Sequence, residues 1–352
     1  MRQYSLCIIG FGNVGIALAK ILKDKRDFLI EKHNVEFNIT GVADSRGGVV
    51  SRDPLEIDLL LDTIKNKGSV GYYPDMGKMK QTALEVIQAC QSDILIELTP
   101  TNIKDGEPAL TYIRNGLLQK MHVVTANKGP VVFAYSEILE LARKQNKLFK
   151  FGGATAGALP TVNVGYYDLA GSEITAIEGI VNGTTNYILT RMAEDKLSFE
   201  EGLAEAQRLG IAETDPSLDI EGYDTANKMI ILAISLMGAK IRLEDIARQG
   251  ITKITPAHIA QAKEEGIVYK LLGRVYKEEG EVKVRVGPEA ISLDHPLSRI
   301  NKTQKAVTFH TDLMGSLTIS GGDSGRIPAA AAVLRDLVNL SREDKGELCR
   351  GF

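Results

Sequence analysis

Residues 5–9, Ser-Leu-Cys-Ile-Ile, form an unbroken apolar run, the pattern of a strand buried on both faces of a parallel sheet. A helical period follows over 14–22 and ends in the charged segment Lys23-Asp24-Lys25-Arg26-Asp27. Residues 35–43 read as a second strand. After them, helical patterns at 82–90, 106–118 and 136–146 alternate with strand-like runs at 93–98 and 122–125. Strand and helix in repeated alternation predict a parallel, doubly wound sheet. The stretch 46–81 is polar, with Asp53-Pro54 starting a helix and a loop over 68–77.

After Phe149-Lys150-Phe151 the texture changes to Gly152-Gly153-Ala154-Thr155-Ala156-Gly157, too glycine-rich for the interior of an element. We place a domain boundary here. The remainder mixes strands at 174–181, 282–286, 306–310 and 317–319 with helices at 199–209, 223–237 and 256–265. An alanine-rich helix over 328–340 closes the pattern, and no internal repeat interrupts it.

Composition narrows the function classes. The 352 residues suffice for two domains with separate cores, and a formal charge of -3 argues against nucleic-acid or polybasic membrane partners. No apolar stretch approaches the ~20 residues needed to span a bilayer, and no targeting segment precedes residue 5, so a cytoplasmic protein is expected. Three cysteines without a CxxC or a Cys/His cluster argue against a zinc site and a disulfide-built fold. Cys7 and Cys90 read as small core residues. Cys349, near the C-terminus, is the one placed where exposure is expected.

Gly10-Phe11-Gly12-Asn13-Val14-Gly15 joins the first strand to the first helix. In such a loop the first glycine allows the tight turn, the second lets backbone approach a pyrophosphate, and the third lets helix and strand pack closely. Asp44, at the end of the second strand, suits the ribose hydroxyls of NAD. Arg46, two residues on, suits the 2′-phosphate of NADP, so the preference stays open. Lys128, in Thr125-Ala126-Asn127-Lys128, lies beyond a carboxyl end of the sheet, where ligands bind in open α/β folds. Asp224 and Lys228 sit four residues apart on one helix face, as an ordinary salt bridge also would. The loop 210–216 ahead of them is rich in acids but has no EF-hand spacing.

Taken together, these stretches resemble the homoserine dehydrogenase family. The resemblance runs from residue 10 to about 340 and rests on Gly10 to Gly15, Thr125 to Lys128, the glycine-rich 152–160, Asn182-Gly183-Thr184-Thr185-Asn186-Tyr187-Ile188-Leu189, Glu213 through Lys228, and Gly325 with its helix. Its most specific parts are the NGTTNYIL segment and the arrangement of Asp219, Gly222, Asp224 and Lys228.

The resemblance implies an α/β chain: a Rossmann-type doubly wound parallel sheet (1–151), an α+β substrate-binding and dimerisation domain (152–320), and a C-terminal helix (321–352) returning to the first domain. It implies NAD(P)-dependent interconversion of L-homoserine and L-aspartate 4-semialdehyde, on the route to threonine, methionine and isoleucine, by a homodimer. Lys228 and Lys128 are then the catalytic lysines, and Glu213 and Asp224 bind substrate. Backbone near Thr99 and Gly325 lies along the cofactor. Family members often hold a sodium ion on backbone oxygens, here at Thr155, Gly157 and Leu159, although Gly152 stands where some carry an acid. The chain stops at Phe352, so no C-terminal regulatory domain and no feedback control through one is expected.

Two other readings compete. A semialdehyde dehydrogenase forming an acyl phosphate needs a nucleophilic cysteine, and neither Cys7 nor Cys90 lies in a suitable loop. A nucleotide sensor would have no use for both Lys128 and Lys228. Because Asp224 paired to Lys228 would hold it protonated, Asp224 is expected to engage the substrate amine and leave Lys228 clear.

Overall fold

A computed structural model describes residues 1–344, so Cys349 lies outside the described residues. The chain divides into two compact units. The first comprises 1–154 and resumes at Gly325; the second is Thr155–Ser324.

The first unit is built on β1 (Arg2–Ile9), β2 (Val35–Ala43), β3 (Gly47–Val50), β4 (Lys78–Met79), β5 (Ile94–Glu97), β6 (His122–Thr125) and β7 (Phe149–Lys150), in the spatial order β4-β3-β2-β1-β5-β6-β7. Strands β2, β1, β5, β6 and β7 are parallel, as the alternating pattern predicts. The sheet is nevertheless mixed, because β3 and β4 add an antiparallel edge. The cause is local. The Asp44 carboxylate accepts the amides of Arg46 (2.7 Å) and Gly47 (3.0 Å), an Asx turn that reverses the chain straight after β2. The helix expected from Asp53-Pro54 begins later, over Ile57–Lys67, and a second short one, Arg26–His33, starts at the end of the charged segment.

Leu18 and Leu22 of the Asn13–Asp24 helix are buried with Val333, Leu337 and Leu340 of the Arg326–Glu343 helix in one core, and the two helices pack together. Each such side chain contributes roughly 1.5–3 kcal/mol by its removal from water. The C-terminal helix is therefore part of the first unit's core. Cys7 and Cys90 are buried in the same unit.

The second unit carries β8 (Ile174–Ile180), β9 (Ala247–Arg248), β10 (Ile267–Glu278), β11 (Glu281–Ser292), β12 (Lys305–Thr311) and β13 (Ser316–Gly321), ordered β13-β12-β8-β10-β11-β9. All neighbours are antiparallel except β11 and β9. The sequence pattern misses β10, whose run is broken by Lys270, Gly273 and Arg274. Its hairpin with β11 turns on Glu279-Gly280, both at positive φ (51° and 85°), as a two-residue type I′ turn requires.

The Tyr223–Leu236 helix lies across β10 and β11. Gly273 makes that approach possible, since a Cβ there would stand 2.3 Å from Met229 Cγ. The helix that carries Lys228 is thereby seated on the sheet.

Candidate active site

In the first unit the Gly10–Gly15 loop and the residues after β5 meet where the strand order reverses, the usual ligand crevice of such sheets. Gly10 has φ +97°, and a Cβ on it would lie 2.6 Å from the Leu98 carbonyl carbon. On Gly15 a Cβ would lie 2.7 Å from the Gly10 oxygen. Both glycines are demanded by the fold. Gly12 is different: nothing lies within 4 Å of its Cβ position, and it begins the Asn13–Asp24 helix without a side-chain cap. Open space over uncapped amides at a helix start is an anion cradle, and it fits a dinucleotide pyrophosphate. Phe11 is buried beneath the loop, Asn13 is exposed and Val14 half-buried. Gly325 repeats the Gly12 arrangement at the start of the Arg326–Glu343 helix, with φ +116°, open space at Cβ and no side-chain cap.

Asp44 is heavily committed. Besides the two turn amides, it accepts the Ser69 hydroxyl (3.0 Å) and the Val70 amide (2.7 Å). A ribose hydroxyl would compete with four donors of the protein itself. The exposed Arg46 guanidinium donates to the Gly68 carbonyl.

Glu97, which the sequence pattern offers only as the end of a strand, organises the carboxyl edge of β5 and β6. It is fully buried and accepts the Thr99 amide (2.8 Å), the Thr99 hydroxyl and the Thr125 hydroxyl (2.8 Å). Burial pushes its carboxyl up, and these donors pull it back. Asn127 adds to the clamp by donating to the Thr99 carbonyl (3.1 Å), and it caps the next helix by accepting the Gly129 amide (3.0 Å). Thr125 and Asn127 thus position Lys128, the half-buried first residue of the Lys128–Lys144 helix. A cation at a helix N-terminus opposes the dipole by ~0.3–1 kcal/mol, so helix stability does not explain this lysine.

In the second unit β8 runs through Val181 into Asn182, which caps the Gly183–Asp195 helix by accepting the Thr185 amide (2.9 Å). Its amide nitrogen donates to Asp219 Oδ1 (2.6 Å) and Asp224 Oδ2 (2.9 Å), so one side chain ties two carboxylates together. Lys228 Nζ donates to Asp224 Oδ2 (2.5 Å) and to the Val181 carbonyl (2.8 Å). The expectation that Asp224 stays clear of Lys228 is therefore corrected: the two form a direct pair, with side chains only 15% and 14% exposed. Helical i,i+4 spacing and shared burial make each the nearest countercharge of the other.

Glu213 stands exposed in the loop after the Phe199–Arg208 helix and is anchored through its carbonyl, which accepts from Gln207 (3.2 Å).

The homoserine dehydrogenase family model matches residues 160–338. A homoserine dehydrogenase of Methanocaldococcus jannaschii is 39% identical over 97% of this chain and 99% of its own length. The chain belongs to the homoserine dehydrogenase family. An NAD(+)-dependent homoserine dehydrogenase of Pseudomonas canavaninivorans is 36% identical over 97% of each chain. The crystal structure of a homoserine dehydrogenase from Thiobacillus denitrificans superposes with a TM-score of 0.84 at 28% identity, covering all of this chain and 76% of the other. As a family member this protein is an oxidoreductase with a nicotinamide cofactor, and Gly12 and its helix fit that group.

A family-type sodium ion fits less well. The Leu159 carbonyl already accepts the Thr161 amide (2.9 Å), and a positive charge is already present in the segment, where the Lys305 ammonium donates to the Ala156 carbonyl (3.0 Å). Gly157, at φ +64°, turns beside that ammonium. Among the described residues no group of three or more His, Cys, Asp or Glu side chains is placed to hold a metal. Lys305 went unnoticed in the sequence because a lysine opening a strand ordinarily faces solvent. Among the described residues no helix is long and apolar enough to cross a membrane.

Proposed function

We propose that Lys228 is the proton donor and acceptor for the homoserine hydroxyl, and that Asp224 exchanges its Lys228 partner for the substrate ammonium. The observation that carries this is the 2.5 Å contact between Lys228 Nζ and Asp224 Oδ2 beside the Asn182 bridge. When bound, the nicotinamide carries the hydride to or from the substrate carbon. In the reducing direction the semialdehyde brings the same ammonium to Asp224, and Lys228, released from the pair as an ammonium, gives a proton to the oxygen of the aldehyde. In the oxidising direction Lys228 must first be free of a proton, and an arriving substrate ammonium draws Asp224 away from it. Val181 keeps Lys228 aimed through its carbonyl during the exchange.

Lys128 is assigned a catalytic role as well as Lys228, and Glu213 a substrate-binding role, on family resemblance. Gly10, Gly12, Gly15, Thr99 and Gly325 hold the cofactor through backbone. Asp44 and Arg46 govern the choice between NAD and NADP. A homodimer formed through the six-stranded sheet agrees with the exposed Leu313, Met314 and Leu317 at its β12–β13 edge. The deciding experiment is absorbance at the reduced-nicotinamide band with purified protein, L-homoserine, and NAD or NADP supplied separately. Homoserine-dependent reduction of at least one coenzyme is expected, and its absence with both would refute the reading.

A further inference from the structure

Lys305, the first residue of β12, is 5% exposed. Its ammonium donates to the Ala156 carbonyl at 3.0 Å and approaches the Asp323 carbonyl at 3.5 Å. These oxygens come from two glycine-rich loops, 152–160 and 321–325. The loops are in close contact, since a Cβ on Gly322 would stand 2.6 Å from the Leu159 nitrogen. The strand that carries Lys305 is itself held: Asn186 donates to the carbonyls of Ile300, Lys302 and Gln304 just ahead of it. A buried cation has thus been fixed where backbone oxygens of two loops converge.

We propose that Lys305 is a tethered cation that takes the place of a monovalent metal ion in the glycine-rich loop, positioning that loop for the neighbouring Lys228–Asp224 pair. An ammonium directed at carbonyl oxygens supplies the positive charge that an alkali cation would supply. In a site shielded from water, a second cation beside it is strongly repelled. The electrostatics agree: burial draws Lys305 down to about 8, the charge of Lys228 acts in the same direction, and Asp224 and Asp323 oppose it. Lys305 is therefore close enough to the proposed acid/base pair for its charge to be felt there, although it is a positioning residue and not a proton carrier.

The inference rests on the proposed function only through its turnover readout; its melting and NMR readouts stand without it. Wild-type protein and Lys305→Met are compared in sodium, potassium and tetramethylammonium chloride at equal ionic strength. Melting temperature, 23Na line width and homoserine turnover are recorded. The wild type is expected to melt alike in all three salts and to leave the sodium line unbroadened. Lys305→Met should melt lower in tetramethylammonium and lose turnover by about tenfold or more, the scale of a lost charged hydrogen bond. Sodium or potassium should restore part of both. Wild-type protein that broadens the sodium line and gains stability specifically from sodium would overturn the proposal, whether or not the variant folds. A variant whose losses no alkali cation relieves would also overturn it and leave Lys305 an ordinary buried donor.

Discussion

The Lys228–Asp224 pair can be tested as a unit by a double-mutant cycle. Each side chain is about 85% buried, so removing one partner leaves the other charge largely desolvated. Breaking a buried pair costs about 3–5 kcal/mol. Here Asn182 still donates to Asp224 and the Val181 carbonyl still accepts from Lys228, so about 2–3 kcal/mol is expected for each single alanine substitution. The double substitution leaves no stranded charge and should cost less than the sum of the singles by at least ~1.5 kcal/mol. The chain has no tryptophan, so urea unfolding is best followed by far-ultraviolet circular dichroism. Kinetics supply the second arm. Lys228→Ala should lower kcat by ~100-fold or more, and Asp224→Ala should chiefly raise the KM for homoserine. Destabilisations that add to within ~0.5 kcal/mol would refute the stranded-charge reasoning. Near-normal turnover in Lys228→Ala would remove that lysine from the chemistry.

Gly12 separates ligand-driven from fold-driven glycine: Gly12→Val, at φ -93° with open space ahead of it, should fold with wild-type stability yet raise the KM for the coenzyme by ~10-fold or more. Normal coenzyme binding by this variant would remove the pyrophosphate from that position. Asp336 gives a pH test: it is buried against the Gly152 and Gly153 amides with its carboxyl pushed up to about 6 by desolvation, so the stabilisation is full below about pH 4 and lost as pH rises through 6. Between pH 5 and 7.5 that loss amounts to ~1.4 kcal/mol, which Asp336→Asn should abolish in urea titrations; an equal loss in the variant would exclude Asp336 as its source.

Much of the first unit was legible because its signals are local. A continuous apolar strand followed by glycines at fixed offsets marks the tight turn into a helix that Gly10 and Gly15 make, and β2 ends where the periodicity ends it, at Ala43. The antiparallel β3–β4 edge was not legible. It depends on a turn in which Asp44 serves its own backbone, and the same carboxylate reads equally well as a ribose acceptor. Glu97 was hidden for a related reason: one glutamate closing an apolar strand has no sequence mark of burial. In the second unit, Asp224 and Lys228 were visible by helical spacing. Their Asn182 bridge was not, because it links residues 42 positions apart. The NGTTNYIL segment was recognisable as a pattern, but its two asparagines do different work. Asn182 gathers carboxylates, whereas Asn186 gathers the carbonyls that lead into β12.

Three largely buried lysines of the second unit, Lys228, Lys270 and Lys305, differ in the kind of partner that holds each. Lys270 Nζ donates to the Ile300 carbonyl (2.5 Å), Asn301 Oδ1 (2.9 Å) and Asn186 Oδ1 (3.3 Å), three acceptors for three protons. Burial lowers Lys270 to about 8, as it does Lys305. A depressed affinity for protons therefore does not identify the catalytic group, since two lysines share it and one is saturated with neutral partners. Exchangeability of the partner is the better criterion. Backbone carbonyls cannot leave Lys305, and the Lys270 acceptors belong to a packed loop. Lys228 alone among the three is paired with a carboxylate on a side chain, Asp224, which can turn toward an incoming ammonium. Proton uptake and release are easier where the compensating charge can move, and this is the physical ground for proposing Lys228, with Asp224 as its partner, as the acid/base group.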